Sequence, residues 1–151
     1  MCMRRAQAAQ ALVWLTLCLP VLIGVAGLAI DAGLALSARR ELQSLTDGAA
    51  RAGATRIDLV LLRRSGGDQV ELNTADAYAA ANLYLDERVP NEPLIGSELE
   101  RRVDVAPQRV QVALQVTVPT AFMRIVRIES VPIGATADAT VEYGIHGPGG
   151  N

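Results

Sequence analysis

The chain opens with a stretch in which apolar residues follow one another almost without a break. Residues 6–30 contain no charged side chain, a run of 25 positions. As an α-helix such a run extends roughly 37 Å at about 1.5 Å per residue, enough to cross a hydrocarbon core of about 30 Å. Pro20 lies inside the run, and membrane helices tolerate such a proline, usually with a kink. The pattern predicts a transmembrane helix over residues 6–30.

Beyond residue 30 the apolar positions recur at spacings of three and four, which is typical of one stripe along a helix. The stripe consists of Leu34, Ala38, Leu42, Leu45, Ala49 and Ala52. This predicts one helix from about Ala6 to about Arg56, the second half of which lays its stripe on a folded domain. The glycine- and alanine-rich residues 48–54 are expected to pack on this chain's own sheet, with a partner helix as the alternative.

The middle of the chain predicts a turn at residues 65–69, a short strand at 70–72, a second helix at 75–86 and a loop at 89–97. Thr74 is the predicted N-cap of the second helix.

After residue 102 the period changes to two, which is typical of half-buried strands. Strands are predicted around 103–105, 110–118 and 131–143, with a hairpin connection at 106–109 and a short helix at 121–128 capped by Thr120. The predicted fold class is α+β: a long N-terminal helix packed on a small antiparallel sheet, one face of which is open to water, in a pilin-like outline.

These elements give four expected regions: a cytoplasmic N-terminus at 1–5, the transmembrane helix at 6–30, an extracytoplasmic domain at 31–145 and a flexible tail at 146–151. Arg4 and Arg5 favour a cytoplasmic N-terminus, although Arg39 and Arg40 weaken that bias. The alternative is a signal peptide cleaved after Ala29, which would release a secreted binding module. The length of the apolar run and the unbroken helical pattern argue against cleavage.

The residue types do not indicate catalysis or cofactor binding. The formal charge is −2, every basic residue is Arg, and no basic stripe with interleaved aromatics appears, which argues against nucleic-acid binding. His146 is the single histidine, and Cys2 and Cys18 are the two cysteines, so neither a catalytic triad nor a metal site can be assembled from these residues. We therefore expect a non-enzymatic protein without cofactor or metal.

Candidate partner contacts lie near the end of the apolar run. Ala26, Ala29 and Gly33 form a face of small residues, and such faces let helices approach closely in lipid. Asp31 is the first charge after the run and could make a polar contact with a partner helix. The alternatives are that an alanine-rich helix presents such a face by chance, and that Asp31 only marks the end of the lipid-buried stretch.

Several separate blocks resemble the N-terminal region of TadE/TadG-like proteins of the apparatus that assembles Flp (type IVc) pili. The blocks are Gln10-Ala11-Leu12-Val13, the apolar stretch with Pro20, Gly27-Leu28-Ala29-Ile30-Asp31-Ala32-Gly33, Arg40-Glu41-Leu42-Gln43 and Asp47-Gly48-Ala49-Ala50. A looser likeness covers Val118-Pro119-Thr120-Ala121-Phe122. The resemblance implies a pilin-like or pseudopilin-like envelope protein of the inner membrane, anchored by its helix, that helps assemble or stabilise the pilus. The expected partners are membrane lipid and other pilus-assembly proteins or pilins, with a second copy of the chain as the alternative.

The sequence departs from processed members of that family. Those members carry Gly before the cleavage site and Glu five residues after it, and alignment on residues 10–13 places Ala9 and Trp14 there. We therefore expect no prepilin-peptidase cleavage and a permanent anchor, which favours the TadG-like branch over the major pilin.

Overall fold

A computed structural model describes residues 2–91, 95 and 99–141. The helices are α1 (Cys2–Ala54), α2 (Leu59–Arg64) and α3 (Thr74–Arg88), and the strands are β1 (Glu100–Ala106), β2 (Arg109–Pro119) and β3 (Ser130–Thr140). Short 3₁₀ turns occupy Val89–Asn91 and Met123–Val126.

The chain divides into two compact units. The first, here called the N-terminal unit, contains Met1–Leu36 and Pro119–Val131. The second, the sheet unit, contains Ser37–Val118 and Pro132–Asn151.

The core of the sheet unit begins with the second half of α1. Ala38, Leu42 and Ala49 have no exposed surface, and Leu45 is also buried. This confirms the predicted stripe over most of its length. Leu34, its first predicted member, is different: it belongs to the N-terminal unit and is exposed.

Three strands in the order β1-β2-β3 form an antiparallel sheet. β1 and β2 pair from Glu100↔Gln115 to Ala106↔Arg109, so the hairpin turns at residues 107–108, within the predicted connection. Along β2 burial alternates strictly, with Val110, Val112, Leu114, Val116 and Val118 buried. The intervening glutamines at 111 and 115 are exposed, so one face packs and the other meets water. The predicted α+β class, with a long helix on a small antiparallel sheet, is confirmed.

Local caps determine where the helices begin and end. α1 ends at Ala54, two residues before the predicted end, and the Asp58 carboxylate then accepts hydrogen bonds from the Val60 and Leu61 amides at the start of α2. The predicted strand at 70–72 is reduced to one bridge, Ile57↔Leu72. The prediction that Thr74 caps α3 is wrong by one residue. The Asn73 side chain accepts a hydrogen bond from the Asp76 amide, and Thr74 is already the first helical residue.

Glycines in α1 allow neighbouring elements to approach closely. A Cβ on Gly48 would lie 2.7 Å from Tyr84 Cε1, and one on Gly53 would lie 3.0 Å from Val110 Cγ1, so a side chain at either position would require its neighbour to move. Residues 48–54 therefore pack on α3 and β2 of this chain, in agreement with the interpretation that they contact their own sheet.

Some predictions concern residues outside the described part of the chain. In the predicted loop at 89–97, the structure has a 3₁₀ turn at Val89–Asn91 and a buried Ile95, whereas residues 92–94 and 96–97 lie outside it. Tyr143, His146 and the whole predicted tail at 146–151 also lie outside the described residues.

Candidate functional site on the N-terminal unit

The first half of α1 exposes large apolar side chains on every side. Leu22, Val21 and Trp14 are 65, 64 and 62% exposed, and other large apolar side chains from Leu12 to Ile30 are similarly exposed. By length and composition this is the one helix among the described residues that could cross a membrane. In water such a surface would be costly, since burying apolar area is the main favourable term in folding.

At the end of the apolar run, α1 binds the connection between β2 and β3, here called the 120–129 loop. Asp31 is only 3% exposed. One carboxylate oxygen accepts the Ala121 amide at 2.9 Å, and the other accepts the amides of Phe122 and Met123 at 2.9 and 2.7 Å. One side chain of α1 thus fixes three consecutive backbone donors of a loop about ninety residues further along the chain.

The Asp31 hydrogen bonds also explain the electrostatics of a buried carboxylate. Asp31 follows directly after the apolar run, outside residues 6–30. Burial raises the pKa of its carboxyl, whereas the amide donors of Met123, Ala121 and Phe122 lower it, and the resulting pKa lies below the ordinary value. The carboxylate is therefore charged at neutral pH, and the three amides replace the water it has lost.

The 120–129 loop is closed at its base by Thr120. The Thr120 amide donates to the Glu129 carbonyl at 3.0 Å, and its hydroxyl donates to the Ile128 carbonyl at 2.5 Å. The predicted helix at 121–128 is replaced by the shorter 3₁₀ turn Met123–Val126, which ends at Arg127 with a left-handed backbone (φ 64°). Thr120 does not cap this turn as predicted, because Asp31 of α1 occupies the free amides instead.

A close contact supports the same junction one helical turn earlier. Gly27 is buried, and a Cβ placed on it would lie 2.8 Å from Phe122 Cβ and still closer to the Phe122 ring. The absence of a side chain at residue 27 therefore lets the loop lie against α1. Gly27 and Asp31 are four residues apart and share one face of the helix.

The small residues singled out in the sequence lie on a different face. Ala26 and Ala29 are exposed, and a Cβ on Gly33 would meet nothing within 4 Å. At about 100° per residue, this face is turned by roughly 150° from that of Gly27 and Asp31. The structure therefore joins Asp31 to the loop and leaves the small-residue face open.

Sequence reasoning missed the partner of Asp31. The signal available was an acidic residue directly after an apolar run. This signal identified Asp31, but it could not identify the backbone amides about ninety residues further along the chain that donate hydrogen bonds to its carboxylate. Among the described residues, no group of three or more His, Cys, Asp or Glu side chains could hold a metal ion.

The part of the chain that contains Asp31 also matches a known protein family. Residues 5–56 match the model of the Flp pilus-assembly TadE/G-like family. The TadE/G-like region covers about a third of the chain, contains nearly all of α1 and does not separate the TadE from the TadG branch. Comparison with curated proteins and with solved structures finds no match. The TadE/G-like region and the apolar N-terminal helix together fit a membrane-anchored pilus subunit.

Proposed function

We propose that this chain is a non-enzymatic, TadG-like, pilin-related subunit that helps assemble a Tad/Flp pilus or a related secretion filament. The observation that carries the proposal is the surface of α1, where residues 12–30 expose large apolar side chains and fall within the TadE/G-like region. An aqueous environment does not stabilise that surface, whereas lipid does.

The proposed topology is a single pass through the inner membrane, with residues 1–5 in the cytoplasm and the domain of residues 31–145 on the extracytoplasmic side. Arg4 and Arg5 support this orientation. The contact between Gly27 and Phe122 supports retention of the run, because cleavage after Ala29 would remove Gly27 from the unit in which it packs. Ala9 and Trp14 at the family's processing positions support an uncleaved anchor.

We further propose that Ala26, Ala29 and Gly33 form the seam for a partner helix, from another assembly protein, a pilin or a second copy. The support is that the 120–129 loop covers another face of α1 and leaves these small residues open. A bulky side chain at Gly33 should weaken cross-linking to the partner in membranes. The same change at Gly24, which also has no atom within 4 Å of a built Cβ, is the matched control.

Deletion of the gene tests the function directly. We expect surface pili or the secreted filament to disappear, and to return when the intact chain is supplied in trans. A chain with Leu22→Arg should fail to restore them, since a charge at the centre of a membrane helix costs about 2.5–3.5 kcal/mol on insertion scales. Normal piliation in the deletion strain would refute the assembly role.

Mass spectrometry of the mature protein separates the anchor from the secreted alternative. We expect the apolar run to be intact in the protein recovered from the membrane fraction after alkaline extraction. A mature N-terminus at Ile30, with the protein in the medium, would instead support a released binding module.

A further inference from the structure

The 120–129 loop exposes a set of large apolar side chains next to the apolar part of α1. Phe122, Ile125 and Ile128 are 37, 83 and 45% exposed. Phe122 directly precedes the 3₁₀ turn and Ile125 lies within it. The two are three residues apart, which is the period of a 3₁₀ helix, so their side chains lie on the same side of the turn. With Met123, these side chains form one wall of a groove of about 710 Å³.

The opposite wall of the groove belongs to the predicted transmembrane helix. It is formed by Leu19, Pro20, Ile23, Gly24 and Leu28. All five positions lie within the uncharged run at 6–30. Because that run is longer than a hydrocarbon core of about 30 Å requires, a helix that starts in lipid at residue 6 leaves the core at about residue 26. A loop lying against residues 19–28 is then at the depth of the acyl chains.

The backbone of the loop is suited to that depth. In hydrocarbon, backbone polar groups need partners within the protein. The amides of 121–123 donate to Asp31, that of Thr120 to Glu129, and those of Ile125, Arg127 and Ile128 to loop carbonyls. An irregular segment with its amides paired in this way can contact lipid at a much lower cost than an ordinary loop.

The charges that flank the apolar side chains have the sign that phospholipids attract. Arg124 and Arg127 are exposed, and Glu129 is the acidic residue of the loop. Arginine side chains can keep an apolar stem in the membrane while the guanidinium reaches phosphate groups at the surface. The loop thus combines an apolar tip with a net positive rim.

We propose that the 120–129 loop is a second lipid-contacting element, which inserts Phe122, Ile125 and Ile128 into the leaflet that α1 leaves. Phospholipid acyl chains fill the groove between the loop and α1, and Arg124 and Arg127 contact lipid phosphates. The inference rests on the proposed membrane anchor, since the groove lies at acyl-chain depth only if residues 6–30 cross the bilayer. Asp31 acts as a positioning residue that fixes the loop at this level.

The test uses the full chain in vesicles of phosphatidylglycerol and phosphatidylcholine. In a background with Cys2→Ser and Cys18→Ser, single cysteines replace Ile125, Leu22 or Leu83 and carry an environment-sensitive fluorophore. Leu22 lies in the apolar run, whereas Leu83 is 57% exposed on α3 and serves as the aqueous control. We expect the Ile125 label to resemble the Leu22 label: quenched by spin-labelled lipid and protected from iodide.

The outcomes distinguish the loop proposal from the anchor proposal. If the Leu22 label meets lipid but the Ile125 label resembles Leu83, the loop proposal is overturned and the anchor stands. If neither label meets lipid, both proposals fail. If the Ile125 label is shielded from both quenchers, protein covers the loop and lipid contact is refuted. Cross-linking between copies then shows whether that protein is a second copy of the chain.

The arginines provide an independent measurement. Each Arg near an anionic surface contributes a factor of about five in membrane affinity. Arg124→Gln and Arg127→Gln should therefore each lower the ratio of inserted to free loop about fivefold in vesicles containing phosphatidylglycerol. Arg63→Gln, an exposed change on α2, is the control with the same loss of charge. An unchanged ratio in both loop variants would overturn the contact with lipid phosphates.

Discussion

The two halves of α1 belong to one helix but bury their apolar side chains in different ways. Between residues 12 and 30, Leu, Ile and Val side chains are exposed on all faces, as with Leu22 at 65%. Between residues 37 and 54, one stripe is buried, as with Leu42 at 0%, and polar residues occupy the other faces. The second half finds its apolar partners in the chain's own sheet, whereas the first half needs an apolar environment that the chain does not provide.

The difference shows that apolar content alone does not distinguish a core helix from a membrane helix. Both halves are rich in Leu and Ala, and the distinction lies in whether polar residues alternate with the apolar ones at the helical period. The transition coincides with Asp31, the point where the carboxylate binds the 120–129 loop. Each prediction below should affect one half and not the other.

The largest expected effect is in the sheet unit. Leu42→Ala should lower the free energy of unfolding by about 2–5 kcal/mol, because it opens a cavity in a fully buried site. The measurement is guanidinium unfolding in detergent micelles, followed by near-ultraviolet circular dichroism, to which the packed Tyr84 contributes. Leu22→Ala, the same substitution at an exposed position, should change this free energy by no more than about 0.5 kcal/mol. Equal effects of the two substitutions would contradict the comparison.

A smaller effect is expected where α1 meets the loop. Gly27→Ala places a Cβ 2.8 Å from Phe122 Cβ and should lower the free energy of opening the loop by about 1–3 kcal/mol, the usual cost of overpacking. Hydrogen exchange of the amides at 121–128 measures it. Gly33→Ala is the matched control, since its Cβ meets nothing within 4 Å.

A double-mutant cycle tests whether Phe122 is the cause. Phe122→Gly should cost less in the Gly27→Ala background than in the parent chain, because it removes the atoms with which the new methyl collides. Additive effects of the two substitutions would show that the close approach of the loop to Gly27 is not what limits this position.

The sequence predicted the regular elements because each depends on a local period. The alternation from Val110 to Val118 and the stripe from Ala38 to Ala49 were both recovered, since burial on one face imposes a period of two or 3.6. Helix ends were less accurate: Asn73 rather than Thr74 caps α3, because neighbouring residues of similar capping ability differ only in backbone geometry.

The candidate site was predictable only in part. Asp31 stood out as a charge after an apolar run, but its three amide partners are fixed by tertiary structure. Thr120 looked like a helix cap because its residue type suits that role. In the structure its hydroxyl donates to the Ile128 carbonyl, and the Asp31 carboxylate accepts the amides that a cap would have bound. Whether Ala26, Ala29 and Gly33 contact a partner stays a prediction, since it concerns a surface between molecules.

Asp31→Asn should loosen the loop without unfolding the sheet unit. The amide side chain has one acceptor oxygen and no charge, so it cannot hold the Ala121, Phe122 and Met123 amides as the carboxylate does. Hydrogen exchange at these three amides should become faster, while exchange in β2 stays the same. Asp47→Asn, an equivalent change in the sheet unit, should leave the loop amides unaffected; unchanged protection in Asp31→Asn would contradict the capping role.

The smallest expected effect is that acid weakens the attachment of the 120–129 loop to α1. Because the pKa of Asp31 is lowered in the folded chain, its contribution is fully present above the unfolded pKa of about 3.9 and is lost as pH falls through the lower folded pKa. Amide chemical shifts of residues 121–123, followed in micelles from neutral pH into acid, should therefore titrate together with a midpoint below about 3.9. The same amides should not titrate in Asp31→Asn, which separates this carboxylate from other acids. A midpoint above the ordinary value would mean that burial outweighs the three amide donors, and that the charged form of Asp31 is not what holds the loop against α1.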